Sequence, residues 1–336
     1  MRGFLSLLAL SAAAGLVLAQ TKPTDPPKKK ISVADPKEVK DDADFAAQGE
    51  YEGSIVLNVG EKKVGAQVVA KGDGKFAVKV YTGGLPGAGW DGKTLLAETT
   101  ARRGEKGVEL DGKPFTGTIA DGKLTIKDGG KIDTTLTKVE RKSPTLGAEP
   151  PKGAVVLFAK EGDEKNWKGG KLVELSDGKF LNNGIKSEQA FGAFTAHVEF
   201  RLPWMPSDSG QGRANSGVYL QDRYELQVLD SFGLKGENNE CGGFYTLHKP
   251  KVNMCLPPLV WQTYDIEFTP AAFENGKKVK NARATVKHNG AVIHDDVELS
   301  KPTGGGQEEK DTPGVFQFQN HGNPVVFRNV WVVEKK

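Results

Sequence analysis

Strict alternation of apolar and polar residues is the feature that most limits the folds open to this chain. In AFTAHVEFRL (193–202), every second side chain from Phe194 to Leu202 is apolar. The stretches WQTYDIEFT (261–269) and RYELQVLDS (223–231) repeat this pattern, which has the period of a half-buried β-strand. No long stretch shows the helical period, and the 42 glycines and 18 prolines provide many turns. The sequence therefore predicts an all-β protein.

The first residues have the features of a secretory signal peptide. Arg2 precedes the apolar run FLSLLALSAAAGLVLA, which ends with Val17 and Ala19 at the small-residue positions of a cleavage site. We therefore predict a signal peptide over residues 1–19, cleavage near Ala19, and a secreted or periplasmic protein. No other apolar run approaches the ~20 residues that a membrane-spanning helix needs.

Changes in composition divide the remaining chain. In residues 49–141, short β-prone runs alternate with a recurrent Asp-Gly-Lys, and Asp-Gly is typical of tight hairpin turns. From residue 153 onward, roughly a dozen strand signals without crossover helices indicate a β-sandwich or barrel. The predicted segments are a disordered Pro- and Lys-rich linker (20–48), a small antiparallel accessory β domain (49–141), a second linker (142–152) and a larger β domain (153–336).

Charge and cysteine content narrow the classes of partner. The formal charge is +3 with both signs interspersed, so no basic stripe indicates nucleic acid. Cys241 and Cys255 lie 14 positions apart, and an exported protein permits a disulfide between them. Two buried free thiols are the alternative, and the disulfide is the favoured prediction.

Three strands of the larger domain have unusual polar faces. Amides, one acid, one imidazole and a tyrosine together match the donor and acceptor needs of sugar hydroxyls. A face that is merely solvated is the alternative interpretation. The polar residues are Tyr219 and Gln221 on strand 216–222, Arg223, Glu225 and Gln227 on strand 223–229, and Gln317, Gln319 and His321 on strand 314–321.

Other chemical motifs are weak or missing. His248 lies beside the loop between the two cysteines and is a further candidate for the site. The sequence has no HExxH, no clustered Cys and His, and no GxSxG, so zinc protease and serine hydrolase activities have no support. No cofactor is predicted, and a divalent cation is left open.

Six stretches of the larger domain match a known family in order: FGAFTAHVEFRLP, NSGVYLQDRYELQVLDSFG, CGGFYTLHKPKVNMC, PPLVWQTYDIEFTP, VKHNGAVIHDDVEL and FQNHGNPVVFRNVWV. Over about residues 153–334 the domain thus resembles the 3-keto-disaccharide hydrolase family of exported bacterial proteins. The resemblance implies a concanavalin-like jelly-roll whose concave sheet binds glycan, and we predict that RYELQVLDS is the central strand of that sheet. This sequence departs from the family at PWMPSDSGQGRA (203–214), a longer loop before the Asn-Ser-Gly element.

The resemblance also implies a substrate already oxidised at C3 of the sugar, which an upstream C3-oxidising dehydrogenase would supply. A ketone at C3 acidifies the proton on C2, so a base can remove that proton while the substituent on C1 leaves. Addition of water completes a net hydrolysis. Glu225 and His321 are the candidates for the base. Arg223, Asn215 and Gln319 are candidate donors to the enolate oxygen.

Two other functions compete with this one. An ordinary glycosidase needs a second carboxylate, and a retaining mechanism places the pair ~5–5.5 Å apart. Asp230 has the opposite strand parity to Glu225, which disfavours this pair. A lectin-like protein would bind glycan without turnover, and the aromatic residues Trp204, Tyr219 and Tyr245 suit either a lectin or an enzyme. The presence of both Glu225 and His321 favours an enzyme.

Overall fold

The computed structural model of the protein describes residues 31–57, 60–112, 115–129 and 133–335. The predicted signal peptide and the first part of the predicted linker, residues 1–30, lie outside the described residues. In the part of the chain that is described, no helix combines the length and the apolar character needed to cross a membrane.

Eight antiparallel strands of the first domain close into a barrel, in which the first strand pairs with the second and with the last. Two of the predicted Asp-Gly turns have positive φ at both residues, Asp73-Gly74 and Asp121-Gly122, as tight hairpins require. The strands are β1 (Gly49–Leu57), β2 (Gly60–Ala70), β3 (Lys75–Thr82), β4 (Leu95–Gly104), β5 (Gly107–Leu110), β6 (Thr116–Ala120), β7 (Lys123–Lys127) and β8 (Asp133–Val139).

Residues 31–48 are ordered and packed against the barrel, contrary to the disordered linker predicted over 20–48. A 3₁₀ turn, Pro36–Val39, leads into the short helix α1 (Ala43–Ala47). The side chain of Asp42 caps α1 by accepting hydrogen bonds from the first backbone N–H groups. Val39 and Ala47 are buried in the barrel core. The segment has few apolar residues, but these are enough to hold it in place because the barrel covers them.

The second domain is a sandwich of two antiparallel sheets. A five-stranded sheet has the order β10-β13-β22-β15-β16, the facing sheet has the order β11-β12-β23-β14-β17-β20-β21, and β9 pairs with β23. The strands are β9 (Val155–Phe158), β10 (Trp167–Lys168), β11 (Leu172–Leu175), β12 (Gly178–Leu181), β13 (Ile185–Phe191), β14 (Phe194–Arg201), β15 (Ser216–Leu220), β16 (Tyr224–Val228), β17 (Trp261–Thr269), β18 (Ala272–Glu274), β19 (Lys277–Lys280), β20 (Ala282–His288), β21 (Ala291–Leu299), β22 (Gly314–Phe318) and β23 (Val326–Glu334).

The core lies between the two sheets and is built from the alternate apolar residues of both. Phe318 of β22 stacks on Phe327 of β23, with ring centroids 4.0 Å apart, and also packs on Trp167. Phe194 of β14 stacks on Phe268 of β17. These contacts follow the two-residue period seen in the sequence. The all-β jelly-roll sandwich, preceded by a small antiparallel β domain, is therefore confirmed.

The strand within RYELQVLDS, β16, lies at the edge of the five-stranded sheet, so the prediction that it is the central strand is wrong. Residues 241–245 cover its outer side. The N–H of Gln227 donates to the carbonyl of Gly243 over 2.9 Å, and the N–H of Tyr245 donates to the carbonyl of Glu225 over 3.1 Å. The edge therefore has few free backbone groups, which protects it from pairing with another chain.

The segment between the domains, predicted as a linker over 142–152, is bonded to the sandwich. The hydroxyl of Ser143 lies 2.6 Å from that of Thr263, and the hydroxyl of Thr145 donates to Asp265 over 2.7 Å. The N–H of Gly147 donates to a carboxylate oxygen of Glu199 over 2.5 Å. The barrel is thus joined to the sandwich by a chain segment that lies along the surface of the sandwich.

Candidate active site

Polar side chains from three neighbouring strands share the outer face of the five-stranded sheet. Tyr219 of β15 pairs with Glu225 of β16 on one side and with Gln317 of β22 on the other. Gly217 pairs with Gln227. The residues between them, such as Val218 of β15, are buried in the sandwich core. The alternation in the sequence thus separates a core face from a polar face.

A cleft of about 230 Å³ opens on this polar face. Small-molecule pockets typically begin near ~300 Å³, so this cleft suits a ligand of about the size of a sugar unit. Clefts of about 530 Å³ on the barrel and 350 Å³ between barrel and sandwich are larger, but neither lies on the polar strand face. The residues that line the smaller cleft are Gln211, Asn215, Glu225, Gln227, Tyr245, Gly304, Gly305, Gln319 and His321.

Glu225 is the acid of the cleft and is only 2% exposed. The hydroxyl of Tyr219 donates a hydrogen bond to its Oε2 over 2.9 Å. Burial raises the pKa of Glu225 to about 7, and the hydrogen bond from Tyr219 opposes that rise. A carboxyl group with a pKa near neutrality gains and loses a proton readily, as general acid–base catalysis requires.

The hydroxyl of Tyr219 has two competing acceptors. It lies 2.9 Å from the carbonyl oxygen of Gly304 as well as 2.9 Å from Glu225, and it accepts from Nε2 of Gln319 over 3.3 Å. Burial raises the pKa of Tyr219, so the phenol keeps its single hydrogen. When Glu225 is ionised, the hydroxyl of Tyr219 donates this hydrogen to its carboxylate. When Glu225 is protonated, the carboxyl can donate to Tyr219, which is then free to donate to Gly304.

The amides of the cleft form a network with unused acceptors. Oε1 of Gln211 accepts from Nδ2 of Asn215 and from Nε2 of Gln227, both over 3.1 Å. Oδ1 of Asn215 and Oε1 of Gln319 are buried without a hydrogen-bond partner. A buried unpaired acceptor costs about 1–3 kcal/mol. Both oxygens are therefore suited to accept hydrogen bonds from the hydroxyl groups of a ligand.

Glycines let the backbone approach these side chains. A Cβ built on Gly217 would lie 2.4 Å from Oε1 of Glu225, so only glycine leaves room for the carboxyl group. In the loop that holds Gly304, a Cβ on Gly306 would lie 2.0 Å from the carbonyl oxygen of Arg223. The sequence interpretation missed this loop and Gln211. Three consecutive glycines at 304–306 are the signal that indicates such a close approach.

His321 lies at the rim of the cleft and is exposed. Strand β22 ends at Phe318, so the strand period does not decide where the His321 side chain points. Tyr245 also lines the cleft, on the segment that covers the edge of β16.

Two predicted substrate-binding residues lie outside the cleft. Gln221 and Asp222 have φ of +55° and +60° and form the turn between β15 and β16, so the strand period stops before them. Nη1 of Arg223 donates to Oε1 of Gln221 over 2.7 Å, and Nη2 donates to the carbonyl of Thr312. Arg223 is thus occupied away from the cleft, and the roles predicted for Gln221 and Arg223 are not supported by this geometry.

Three other candidates are also apart from the cleft. His248 interacts through Nε2 with the carbonyl of Glu298 over 2.7 Å. Gln317 lies on the polar face but is not among the residues that line the cleft. Trp204 is fully buried, and its ring packs on Phe45 of α1, so it is not an exposed aromatic surface for a sugar.

Cys241 and Cys255 are free and buried in the structure, so the predicted disulfide is not formed. The two thiols contact each other as a reduced pair, and each also contacts a second group in the core. Sγ of Cys241 lies 3.2 Å from the hydroxyl of Tyr264, and Sγ of Cys255 lies 3.5 Å from the carbonyl of Leu229. Burial raises the pKa of Cys255, which keeps its thiol neutral and unreactive.

Among the described residues, Glu225 is the one carboxylate that lines the cleft. Asp230, the alternative second acid, is buried in an ion pair with Arg213 at 2.5 Å. The described part of the chain also contains no group of three or more His, Cys, Asp or Glu side chains arranged to hold a metal ion.

Comparison with known proteins gives a matching family, and several solved structures are also similar to this chain. Residues 153–333, more than half of the chain, match the family model of the 3-keto-alpha-glucoside-1,2-lyase-like domain. A candidate glycosyl hydrolase from Parabacteroides distasonis ATCC 8503, solved at 2.13 Å, is 28% identical over 55% of this chain and 85% of that chain, with a TM-score of 0.48. A second one from the same organism, solved at 1.70 Å, is 18% identical over 55% and 95%, with a TM-score of 0.38. No curated protein matches significantly.

Proposed function

Because the chain belongs to the 3-keto-alpha-glucoside-1,2-lyase-like domain family, we propose that it is an enzyme that cleaves the glycosidic bond of 3-keto-glycosides and 3-keto-disaccharides. The family gives it a carbohydrate-active role. The observation that most supports the finer proposal is Glu225, a buried carboxyl group with a pKa of about 7 facing a cleft lined by amides.

The first step is the removal of the C2 proton by ionised Glu225. The ketone at C3 stabilises the negative charge that develops, as an enolate. The electron pair then forms the C1=C2 double bond while the C1–O bond breaks, and the leaving oxygen takes a proton to become the free alcohol. Water adds across the double bond, with its oxygen on C1 and a proton on C2. Glu225 then releases to solvent the proton that it took from C2, and the acid that protonated the leaving oxygen regains one from solvent. The net change is hydrolysis, and both groups end in their starting states.

The other side chains of the cleft have supporting roles in this mechanism. Nε2 of Gln319 uses one hydrogen for Tyr219, which leaves the second hydrogen as a donor to the enolate oxygen. The exposed His321 at the rim is the candidate that protonates the leaving oxygen, because the aglycone of a bound sugar has to extend out of so small a cleft. Asn215, with its unpaired oxygen, binds a hydroxyl of the sugar.

Two observations favour this chemistry over the alternatives. A single carboxylate lines the cleft within the described residues, whereas an ordinary glycosidase needs two. A lectin site needs no titrating group, whereas burial raises the pKa of Glu225 to about 7. We also propose that residues 1–19 direct the export of the protein, because their sequence has the features of a signal peptide. The reaction that supplies the substrate is oxidation of a glycoside at C3.

The test is a parallel incubation of the purified protein with a 3-keto glucoside and with the same glucoside unmodified. We expect release of the aglycone from the 3-keto substrate alone. Equal release from both would identify an ordinary glycosidase. Binding of either compound without release would identify a glycan-binding protein.

A further inference from the structure

The long loop that distinguishes this sequence, residues 203–214, packs on the barrel domain. At its start, the backbone of Trp204 pairs with Val33, with N–H···O distances of 3.0 and 2.7 Å. The indole ring is buried among the core residues of the barrel and lies edge-on to Phe45, with centroids 5.2 Å apart. Its Nε1 donates to Asp42 over 3.2 Å. The first part of the loop therefore belongs structurally to the first domain.

The other end of the loop makes a second contact with the barrel. Nη1 of Arg213 donates to the carbonyl of Ala70, the last residue of β2, over 3.0 Å. Arg213 is 3% exposed, and its Nε is held by Asp230. Between these two contacts, Ser207 lies against Gly72. A Cβ built on Gly72 would lie 2.4 Å from Oγ of Ser207.

Gln211 lies in the loop between the contacts made by Trp204 and Arg213, and it lines the cleft. Its Nε2 donates to the carbonyl of Asn239 over 2.7 Å, and its Oε1 accepts from Asn215 and Gln227. Nδ2 of Asn215 also donates to the backbone carbonyl of Gln211 over 2.8 Å. Gln211 therefore fixes, through its side chain and its backbone, which way two other amides of the cleft point. Because Nδ2 of Asn215 is engaged, its Oδ1 is the atom left for a ligand.

We propose that Gln211 is a substrate-positioning residue and that the barrel is the scaffold that holds it in the site. The inference rests on the proposed function, because the ligand is taken to be the hydroxyl-bearing sugar of the substrate. The barrel keeps loop 203–214 in place, Gln211 orients Asn215 and Gln227, and the free oxygen of Asn215 accepts a hydrogen bond from a sugar hydroxyl. The first domain is thus part of the active site without contacting the substrate.

Four single substitutions of the full chain test this assignment. Gln211→Ala removes the acceptor shared by the two amides. Gly72→Ala pushes the loop from the barrel side through Ser207. Gln189→Ala alters an exposed glutamine on β13 and is the control for the first substitution. Gly92→Ala is the control for the second, because Gly92 has φ of +78°, against +76° for Gly72, and has nothing within 4 Å of its built Cβ.

Steady-state kinetics on a 3-keto glucoside separate binding from chemistry. We expect Gln211→Ala to raise KM about tenfold and to change kcat little, since one positioned hydrogen-bond acceptor is worth about a factor of ten. Gly72→Ala should raise KM more than Gly92→Ala does. An unchanged KM in Gln211→Ala, or equal KM values in the two glycine variants, would overturn the inference.

A second measurement keeps the two proposals distinguishable. Calorimetric titration with the same 3-keto glucoside reports binding whether or not the protein turns it over. Binding that weakens in Gln211→Ala, together with a wild type that shows no turnover, would support the positioning role and contradict the enzyme. No binding to the wild type would overturn both. Hydrogen exchange of residues 207–215 should be faster in Gly72→Ala than in Gly92→Ala, and equal exchange would show that the barrel does not hold the loop.

Discussion

Tyr219 and Glu225 face each other across the hairpin of β15 and β16, with the tyrosine hydroxyl 2.9 Å from Oε2 of the glutamate. The pair couples a hydrogen bond to an ionisation. Burial raises the pKa of Glu225 while the hydrogen bond from the hydroxyl of Tyr219 lowers it, so a pKa near neutrality depends on both residues.

Tyr219→Phe should therefore raise the pKa of Glu225 above its value of about 7. If ionised Glu225 is the base, the acidic limb of the pH profile of kcat/KM moves to higher pH, because more base is needed to ionise the carboxyl group. Tyr224→Phe is the matched control, since its hydroxyl contacts Glu309 and its ring lies in the sandwich core. A limb that stays in place or moves to lower pH in Tyr219→Phe would contradict the coupling.

The raised pKa of Glu225 also makes stability depend on pH. The pKa rises from 4.5 to about 7 on folding, so the folded protein binds this proton more tightly than the unfolded chain. The stabilising contribution is present below about pH 4.5 and is lost as the pH rises through 7. Glu225→Gln, which cannot ionise, should gain stability over the wild type across this window, up to about 3 kcal/mol. Thermal unfolding at a series of pH values measures the difference, and a gap that does not widen would argue against a raised pKa.

Gly217→Ala should displace the carboxyl group of Glu225, because its Cβ would lie 2.4 Å from Oε1. Misplacing a catalytic group by about 1 Å can reduce turnover by about 10²-fold. Gly192→Ala is the control, since its Cβ meets nothing closer than 3.9 Å. Turnover on a 3-keto glucoside is the measurement. Equal rates in the two variants would mean that the position of Glu225 does not matter.

The two faces of the sheet can be separated by adjacent substitutions. Phe318 is fully buried and stacks on Phe327, so Phe318→Ala should cost about 3–5 kcal/mol of unfolding free energy. Gln319 lines the cleft and leaves Oε1 unpaired, so Gln319→Ala should leave the melting temperature nearly unchanged and weaken substrate binding. Similar losses of stability in both would mean that Gln319 serves the fold and not the cleft.

Much of this fold is predictable from the sequence, because strand alternation and Asp-Gly turns are local signals. Phe194, Phe268 and Phe318 fall on the core side as the two-residue period requires. The site is less predictable because it depends on where strands end. The two-residue period places Arg223 on the polar face with Glu225, but β16 begins only at Tyr224, and the guanidinium of Arg223 is bonded to Gln221 and Thr312.

The residues that the sequence interpretation missed lie on loops, and one of these loops is held in position by the other domain. Gln211 reaches the cleft because Trp204 and Arg213 anchor its loop on the barrel. No period in the sequence records a contact between segments so far apart. The order of the strands is equally non-local, since nothing within residues 223–231 shows that β16 is an edge strand covered by residues 241–245.

The central claim is that Glu225 removes the C2 proton of a 3-keto glycoside, and a reaction in D₂O tests it most directly. Elimination followed by hydration places solvent deuterium on C2 of the released 3-keto sugar, whereas direct displacement at C1 leaves the original hydrogen there. We predict deuterium at C2 of the product with the wild type, and a turnover about 10²–10⁴-fold lower with Glu225→Gln, the usual size of a general acid–base contribution. A product sugar incubated alone corrects for spontaneous exchange. Product that retains hydrogen at C2, or a Glu225→Gln enzyme with wild-type kcat, would contradict the account.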